Sequence, residues 1–395
     1  MGGLTSAIQP QIISSYLPIT IFKEEYRISH YPFPFDRTSS DDELLKFTSS
    51  ILQCFRRLEV KSKKSLDLDP DFCQQQLIEL AKWGTLAYQR FFRDEEARQL
   101  LTDQLQMTAN PIPAPTFVSS SIPFPWEVLY QGKEHNDPQR EMFWGFCYTP
   151  ARILTPKRDI SRHAKEHNLP LDMLFCIHQT LSQSHEQEWP AIRKLIAVTK
   201  QDNCCLLNLS GGRSQVKDGE SLLQYLNTAS HNMLHFACHC KPKEAEIDTL
   251  LISILLDDLE ETITTDLPVI ELSAFTFDLV RGQFQRNPLI FLNACQSAGG
   301  GDQVRKTLNL PEMFVQQGAA SIIATACPVP DLFAAAFAKQ FYTFFLEQRM
   351  PVGQALRETR LYFLEKHHNP LGLAYGLYSP AHYRLAQSPM MEGVA

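Results

Sequence analysis

The stretch Asn287-Pro-Leu-Ile-Phe-Leu-Asn-Ala-Cys-Gln-Ser-Ala-Gly-Gly300 reads as a buried strand that ends in a cysteine. Leu289 to Leu292 form a short apolar run of the kind a strand covered on both faces needs. Cys295 closes that run, and Gly299, Gly300 and Gly301 then make the chain small and pliable. In an open α/β sheet, reactive groups collect beyond the carboxyl ends of the strands. A cysteine at such an end is a candidate nucleophile when a base lies beside it.

The candidate base is His239, at the end of a second apolar run, Met233-Leu-His-Phe-Ala-Cys-His-Cys240. If the two runs are adjacent parallel strands, a thiol and an imidazole meet at their ends. Further out, short apolar runs alternate with helical patterns. Strands are expected at Phe143–Tyr148, Leu195–Thr199, Cys205–Leu209, Leu250–Leu255 and Ala320–Thr325. Helices are expected at Leu171–Gln183, Gly219–Ala229, Leu310–Gln317, Leu332–Gln348 and Pro351–His367. That alternation predicts an α/β fold, a mostly parallel sheet with helices on both faces.

Before it lies a different texture. Strands are expected at Leu17–Phe22 and Tyr26–His30, closed by a turn at Pro32-Phe-Pro-Phe35. Cap-type residues Ser39 to Asp42 then precede Leu44, Leu45, Phe47 and Leu52 at helical spacing. After a charged break at Lys61–Asp71, two more helices are expected at Phe72–Phe91 and Glu95–Met107, before prolines 111, 113 and 115 mark a boundary. Residues 1–110 are therefore expected to form an N-terminal strand pair with an α-rich region, and 111–395 the α/β part.

Composition excludes some classes. With 395 residues, 44% hydrophobic and 21% charged, the chain has the make-up of an ordinary globular protein. A net charge of −7 supplies no overall basic field for nucleic acid or anionic lipid. No apolar run reaches the 18 or so residues of a spanning helix. The N-terminus lacks a secretory pattern, although Met1-Gly-Gly-Leu-Thr-Ser6 matches a myristoylation motif. Ten cysteines without a secretory signal point to reduced thiols and a cytoplasmic location.

The residues resemble a known family at four places in order. Pro125-Trp-Glu-Val-Leu-Tyr130 resembles the Pro-Trp-Glu-Leu-Leu segment of CHAT-domain proteins, caspase- and separase-like cysteine peptidases of clan CD. Leu234-His-Phe-Ala-Cys-His239 resembles their histidine strand, and Leu292-Asn-Ala-Cys-Gln-Ser-Ala298 their nucleophile segment. Gly318 to Thr325, with Pro328-Val-Pro-Asp331, resembles the strand and loop that follow. The 56 residues from His239 to Cys295 agree with the spacing of roughly 50 in caspase-like peptidases. The resemblance covers about residues 122 to 386. Three departures stand out: Cys240 replaces a glycine, Ala326-Cys327 replaces Leu-Trp, and Pro330-Asp331 replaces an acidic pair.

The resemblance implies a caspase-like fold with a degenerate lobe at 111–220 and a catalytic lobe at 221–390. It implies a cysteine endopeptidase that cuts a protein or peptide substrate with Cys295 and His239. Backbone amides of Cys240 and Cys295, both at strand ends, would hold the oxyanion. Asp331 and Gln296 are candidates for the substrate pocket, with Asp331 favouring a basic side chain. Aspartate there is also a common helix N-cap, and the cap is the favoured role. Trp126 and Glu127 are expected to pack and support, and His235 to be a satisfied core histidine. A zinc site at His235, Cys238, His239 and Cys240 is disfavoured, because alternate residues of one strand point to opposite faces. No metal or organic cofactor is needed. The family's setting implies bacterial antiviral defence or cell death, with a regulatory protein partner. The competing expectation is an inactive caspase-like scaffold, to which Cys240 lends support. A cysteine acyltransferase or amidase would share the dyad.

Overall fold

Continuous apolar runs become buried strands, and amphipathic runs become the helices that cover them. A computed structural model describes residues 16–21, 25–34, 37–107, 112–118, 124–132, 136–154, 171–178, 181–197, 203–209, 216, 218–228, 230–242, 249–252, 270–273, 279–280, 283–295 and 311–384.

The chain enters through β1 (Tyr16–Ile21), β2 (Glu25–Ile28) and β3 (Tyr31–Pro34). Of the turn expected at Pro32–Phe35, Pro32 to Pro34 are instead strand β3, antiparallel to β2 with Arg27 opposite Pro32 and Glu25 opposite Pro34, and Phe35 lies outside the described residues. Proline lacks a donor and so sits at a sheet edge, and β3 is the edge. Helices α1 (Arg37–Ser62), α2 (Pro70–Phe91) and α3 (Glu95–Met107) follow. Asp69 caps α2 by accepting the Phe72 N–H at 2.9 Å, and Pro70 occupies the first turn, where a missing N–H costs nothing. Arg57 of α1 donates to Gln76 of α2 at 2.8 Å, pinning the two together.

Strand β4 (Ala114–Val118) runs parallel to β1, with Tyr16 opposite Ala114 and Thr20 opposite Val118. One sheet, β3-β2-β1-β4-β5, thus crosses the boundary expected at residue 110. Phe143–Tyr148, expected as a strand, contains the short helix α4 (Trp144–Cys147). Trp144, Gly145 and Phe146 are all buried there, so burial on every side erased the helical period. β5 (Ala151–Ile153) pairs with β4.

The second sheet holds the longer run of parallel strands. β6 (Asp172–Ile177) lies where a helix over Leu171–Gln183 was expected. Met173 to Ile177 are all buried, which fits a central parallel strand as well as a core helix. Helical residues 182–183 lead into a π-helical turn, Ser184–Glu188, and α5 (Trp189–Ile196). Leu195 and Ile196, expected to start a strand, end that helix. Then come β7 (Asn203–Asn208), α6 (Gly219–Thr228), β8 (Met233–Pro242), β9 (Thr249–Ile252), β10 (Ile270–Ser273), β11 (Leu289–Cys295) and β12 (Ser321–Thr325). The chain continues through α7 (Asp331–Tyr342), the π-helical Thr343–Glu347, α8 (Val352–His367) and β13 (Tyr375–Tyr378).

Strands β7, β6, β8, β11 and β12 are parallel neighbours, with β13 antiparallel at one side and the antiparallel β9–β10 pair on the carboxyl end of β8. Strands β6 and β7, from the segment expected to form a separate lobe, pair into the sheet that holds β8 and β11. Odd-numbered residues such as Met233, Ala237 and Phe291 join a core with Phe333, Phe337 and Phe341 of α7. Even-numbered ones such as Leu234, Phe236 and Leu292 join a second core with α6 and Phe314. Helices therefore cover both faces of a mostly parallel sheet, as expected.

The α1–α2 connection is latched to the end of α8. His367 O accepts the Leu68 N–H at 2.9 Å, and buried Asn369 donates to Ser62 Oγ at 2.9 Å and Leu66 O at 3.1 Å.

Candidate active site

Two parallel strands side by side bring the sequence's main candidates together. In the β8–β11 register, Leu289 stands opposite Met233, and the pairing runs unbroken to Cys295 opposite His239. Neighbouring strands are about 4.8 Å apart. The backbone thus puts the thiol-bearing and imidazole-bearing positions on adjacent chains at the carboxyl edge of the sheet. Cys240, one residue on, is paired with Ile252 of β9. Gln296 lies outside the described residues.

Beneath these strand ends, buried polar groups form a connected cluster. His235 is fully buried and stacked between Phe175 (4.4 Å, 12°) and Phe291 (5.1 Å, 25°). Its Nδ1 is 3.0 Å from the Tyr342 hydroxyl, so it is a core histidine, as expected, but with one ring nitrogen hydrogen-bonded rather than both. Its Nε2 lies 2.9 Å from Glu188 Oε1, off the line of a hydrogen bond. Asn293 Nδ2 donates to the same Glu188 oxygen at 2.9 Å and to Ala334 O at 3.0 Å, while its Oδ1 accepts the Tyr375 O–H at 2.7 Å. Burial, with Glu188 nearby, pushes the Tyr342 phenol well up, so it stays a neutral hydroxyl. Cys238 joins the opposite core, as strand alternation requires.

Asp331 departs from its expected role. Pro330 is the N-cap of α7, and Asp331 begins the helix without capping it. Its carboxylate accepts the Gln183 N–H at 2.9 Å and the Ser184 hydroxyl at 3.0 Å. It therefore serves the first turn of a different helix, the one that starts at residue 182. Burial pushes its pKa up against these hydrogen bonds, and Glu188 adds to the rise.

Glu127 is a structural residue, as expected. It is buried and gripped by Arg152 through Nη1 at 2.8 Å and Nη2 at 2.6 Å, while Arg360 Nη2 lies 3.5 Å away. Trp126 stacks on Phe117 at 3.7 Å and 10°.

Glu188 and Asn293 were not singled out by the sequence. Asn293 gave a signal: it is a polar residue inside an apolar strand, two positions before Cys295. Glu188 gave none, although it ends a π-helical turn, a feature that often marks functional sites.

A model of the CHAT domain matches residues 118–387, more than half of the chain. The chain belongs to the CHAT domain family. Within this CHAT protein, a 90-residue segment is 36% identical to a relative from Vitiosangium sp. described as a probable protease. That match covers 22% of this chain and 11% of the relative, so it spans about a tenth of the relative's length. Among solved structures, the CHAT protein is similar to the Arg-specific cysteine proteinase gingipain R, with a TM-score of 0.44, 11% identity, and 74% of this chain and 68% of that one covered. It is also similar to the separase of the Saccharomyces cerevisiae separase–securin complex, with a TM-score of 0.44, 13% identity, and 85% and 22% covered. No helix among the described residues is long and apolar enough to cross a membrane.

Proposed function

We propose that this CHAT protein is a cysteine endopeptidase whose nucleophile is Cys295 and whose base is His239. The observation that supports it best is the register of Cys295 opposite His239 on adjacent parallel strands. The imidazole takes the thiol proton, and the thiolate attacks the scissile carbonyl carbon. His239 then protonates the departing amine, and water releases the acyl group. Backbone N–H groups of Cys240 and Cys295 steady the oxyanion. Cys240 keeps the N–H that a glycine would offer while narrowing the backbone's choices.

In this reading Asp331 and Gln296 line the pocket for the substrate side chain. The bonds from Asp331 to Gln183 and Ser184 would tie that pocket to the helix after β6. The substrate is a protein or peptide, and the work belongs to a regulated bacterial defence or cell-death response in the cytoplasm, under a protein partner.

The test is intact-mass labelling with a mixture of peptidyl acyloxymethyl ketones on wild type, Cys295→Ala and His239→Ala. A single adduct mapped to Cys295 and lost in both variants is expected. A wild type that stays unlabelled, alone and with candidate partners, would favour an inactive scaffold. An adduct that persists in Cys295→Ala would overturn the assignment.

A further inference from the structure

One oxygen of a buried carboxylate touches both strands of the site. Glu188 Oε1 receives the Asn293 Nδ2–H of β11 at 2.9 Å and lies 2.9 Å from His235 Nε2 of β8. Asn293 stands two residues before Cys295, and His235 four residues before His239. Each is anchored a second time by a separate element, Asn293 by Tyr375 and Ala334, His235 by Tyr342.

Stability alone does not account for this cluster. Glu188, His235, Tyr342 and Tyr375 are fully buried, and Glu188 Oε2 has no hydrogen-bond partner among the described residues. Burying a carboxylate costs several kcal/mol, and well-packed apolar replacements of buried ionic groups are often neutral or better. A connected polar cluster does fix a single arrangement, because each donor accepts only a few geometries.

We propose that Glu188 and Asn293 are positioning residues that set β8 and β11 against each other and so hold the His239 and Cys295 positions in reacting register. The inference rests on the reading of Cys295 as nucleophile. Neither residue touches substrate. They act through the backbone of the strands that end at the site. Misplacement of a reacting group by about 1 Å can cost on the order of 100-fold in rate.

The experiment measures inactivation of the full chain by a peptidyl acyloxymethyl ketone, separating kinact from KI, with melting temperature recorded for every variant. Glu188→Leu and Asn293→Ala should lower kinact roughly 10- to 100-fold with KI nearly unchanged. Glu188→Gln keeps an acceptor for Asn293 and should restore kinact to within about threefold of wild type, since geometry rather than charge is at stake. If the two larger changes fail to fold, Tyr375→Phe deletes one hydroxyl while leaving its ring stacked on Phe337. It should lower kinact by about three- to tenfold, in line with the loss of one hydrogen bond. Folded variants that react at the wild-type rate would overturn the positioning role while leaving the nucleophile intact. Failure of Glu188→Gln to recover would overturn it in favour of a charge effect. A wild type without a Cys295 adduct would overturn the nucleophile assignment and this inference with it.

Discussion

Arg152 holds Glu127 by both terminal guanidinium nitrogens, at 2.8 and 2.6 Å, with both side chains buried. The pair joins the Pro125-Trp-Glu segment to β5, and Arg360 extends it to β13 by donating to Tyr375 O at 2.6 Å. Burial draws the Arg360 guanidinium down to about 10, against the pull of Glu127. Removing Glu127 would leave two buried cations uncompensated. Glu127→Ala should therefore cost about 3–5 kcal/mol, with Glu127→Gln less severe. Urea unfolding of both variants checks this, and a loss below 1 kcal/mol would remove the pair from the list of structural anchors.

Asp331 predicts a pH effect of definite sign. Its folded pKa is raised, by burial first, so the folded chain holds this proton more tightly than the unfolded one. Ionisation then weakens the fold as pH rises from the ordinary carboxylate range through the raised value. Relative to Asp331→Asn, the wild type should gain melting temperature on going from about pH 7 to about pH 4. Thermal melts of the two proteins side by side would show it. A difference that does not change with pH would mean the hydrogen bonds from Gln183 and Ser184 offset the burial fully.

The core thiols should be silent. Cys176, Cys238 and Cys327 are almost wholly buried, and burial pushes the Cys176 and Cys327 thiols far above their ordinary value. A maleimide at neutral pH should leave these three unmodified in folded Cys295→Ala and reach them only after urea is added. Peptide mapping reads the outcome, and rapid modification of Cys327 would show that the loop after β12 opens in solution.

Asn369 is the residue to test for coupling between the N-terminal helices and the sheet. Its amide donates to Ser62 and Leu66 in the α1–α2 connection. Asn369→Ala should lower stability by about 1–3 kcal/mol, the cost of stranding buried acceptors. It should also speed protease cleavage within residues 63–69. Equal cleavage rates in the two proteins would show that the Leu68–His367 backbone bond suffices.

How much of this was legible depended on distance along the chain. β8 and β11 could be read because a parallel strand covered on both faces leaves an unbroken apolar run with a polar residue at its end. The same property hid β6, where Met-Leu-Phe-Cys-Ile reads equally well as a buried helix, and made a strand of the aromatic turn around Trp144. Tyr375-Gly-Leu-Tyr378 was too short to register, and its pairing with β12 depends on partners 50 to 56 residues away. Asp331 is the clearest case. Its local sequence suggests a cap, but the donors it satisfies lie 147 and 148 residues upstream. Glu188 meets Asn293 across 105 residues, a contact no local pattern announces.

The parallel pairing of β1 with β4 has a practical consequence for anyone who cuts the gene. A recombinant fragment trimmed to residues 118–387 would begin at the last residue of β4, discarding β1 and nearly all of its partner. The remaining β5 would be left with its backbone donors and acceptors bare, an edge that invites other copies to stack against it. Insolubility of such a fragment would report the loss of most of this sheet rather than any fault in β8 or β11.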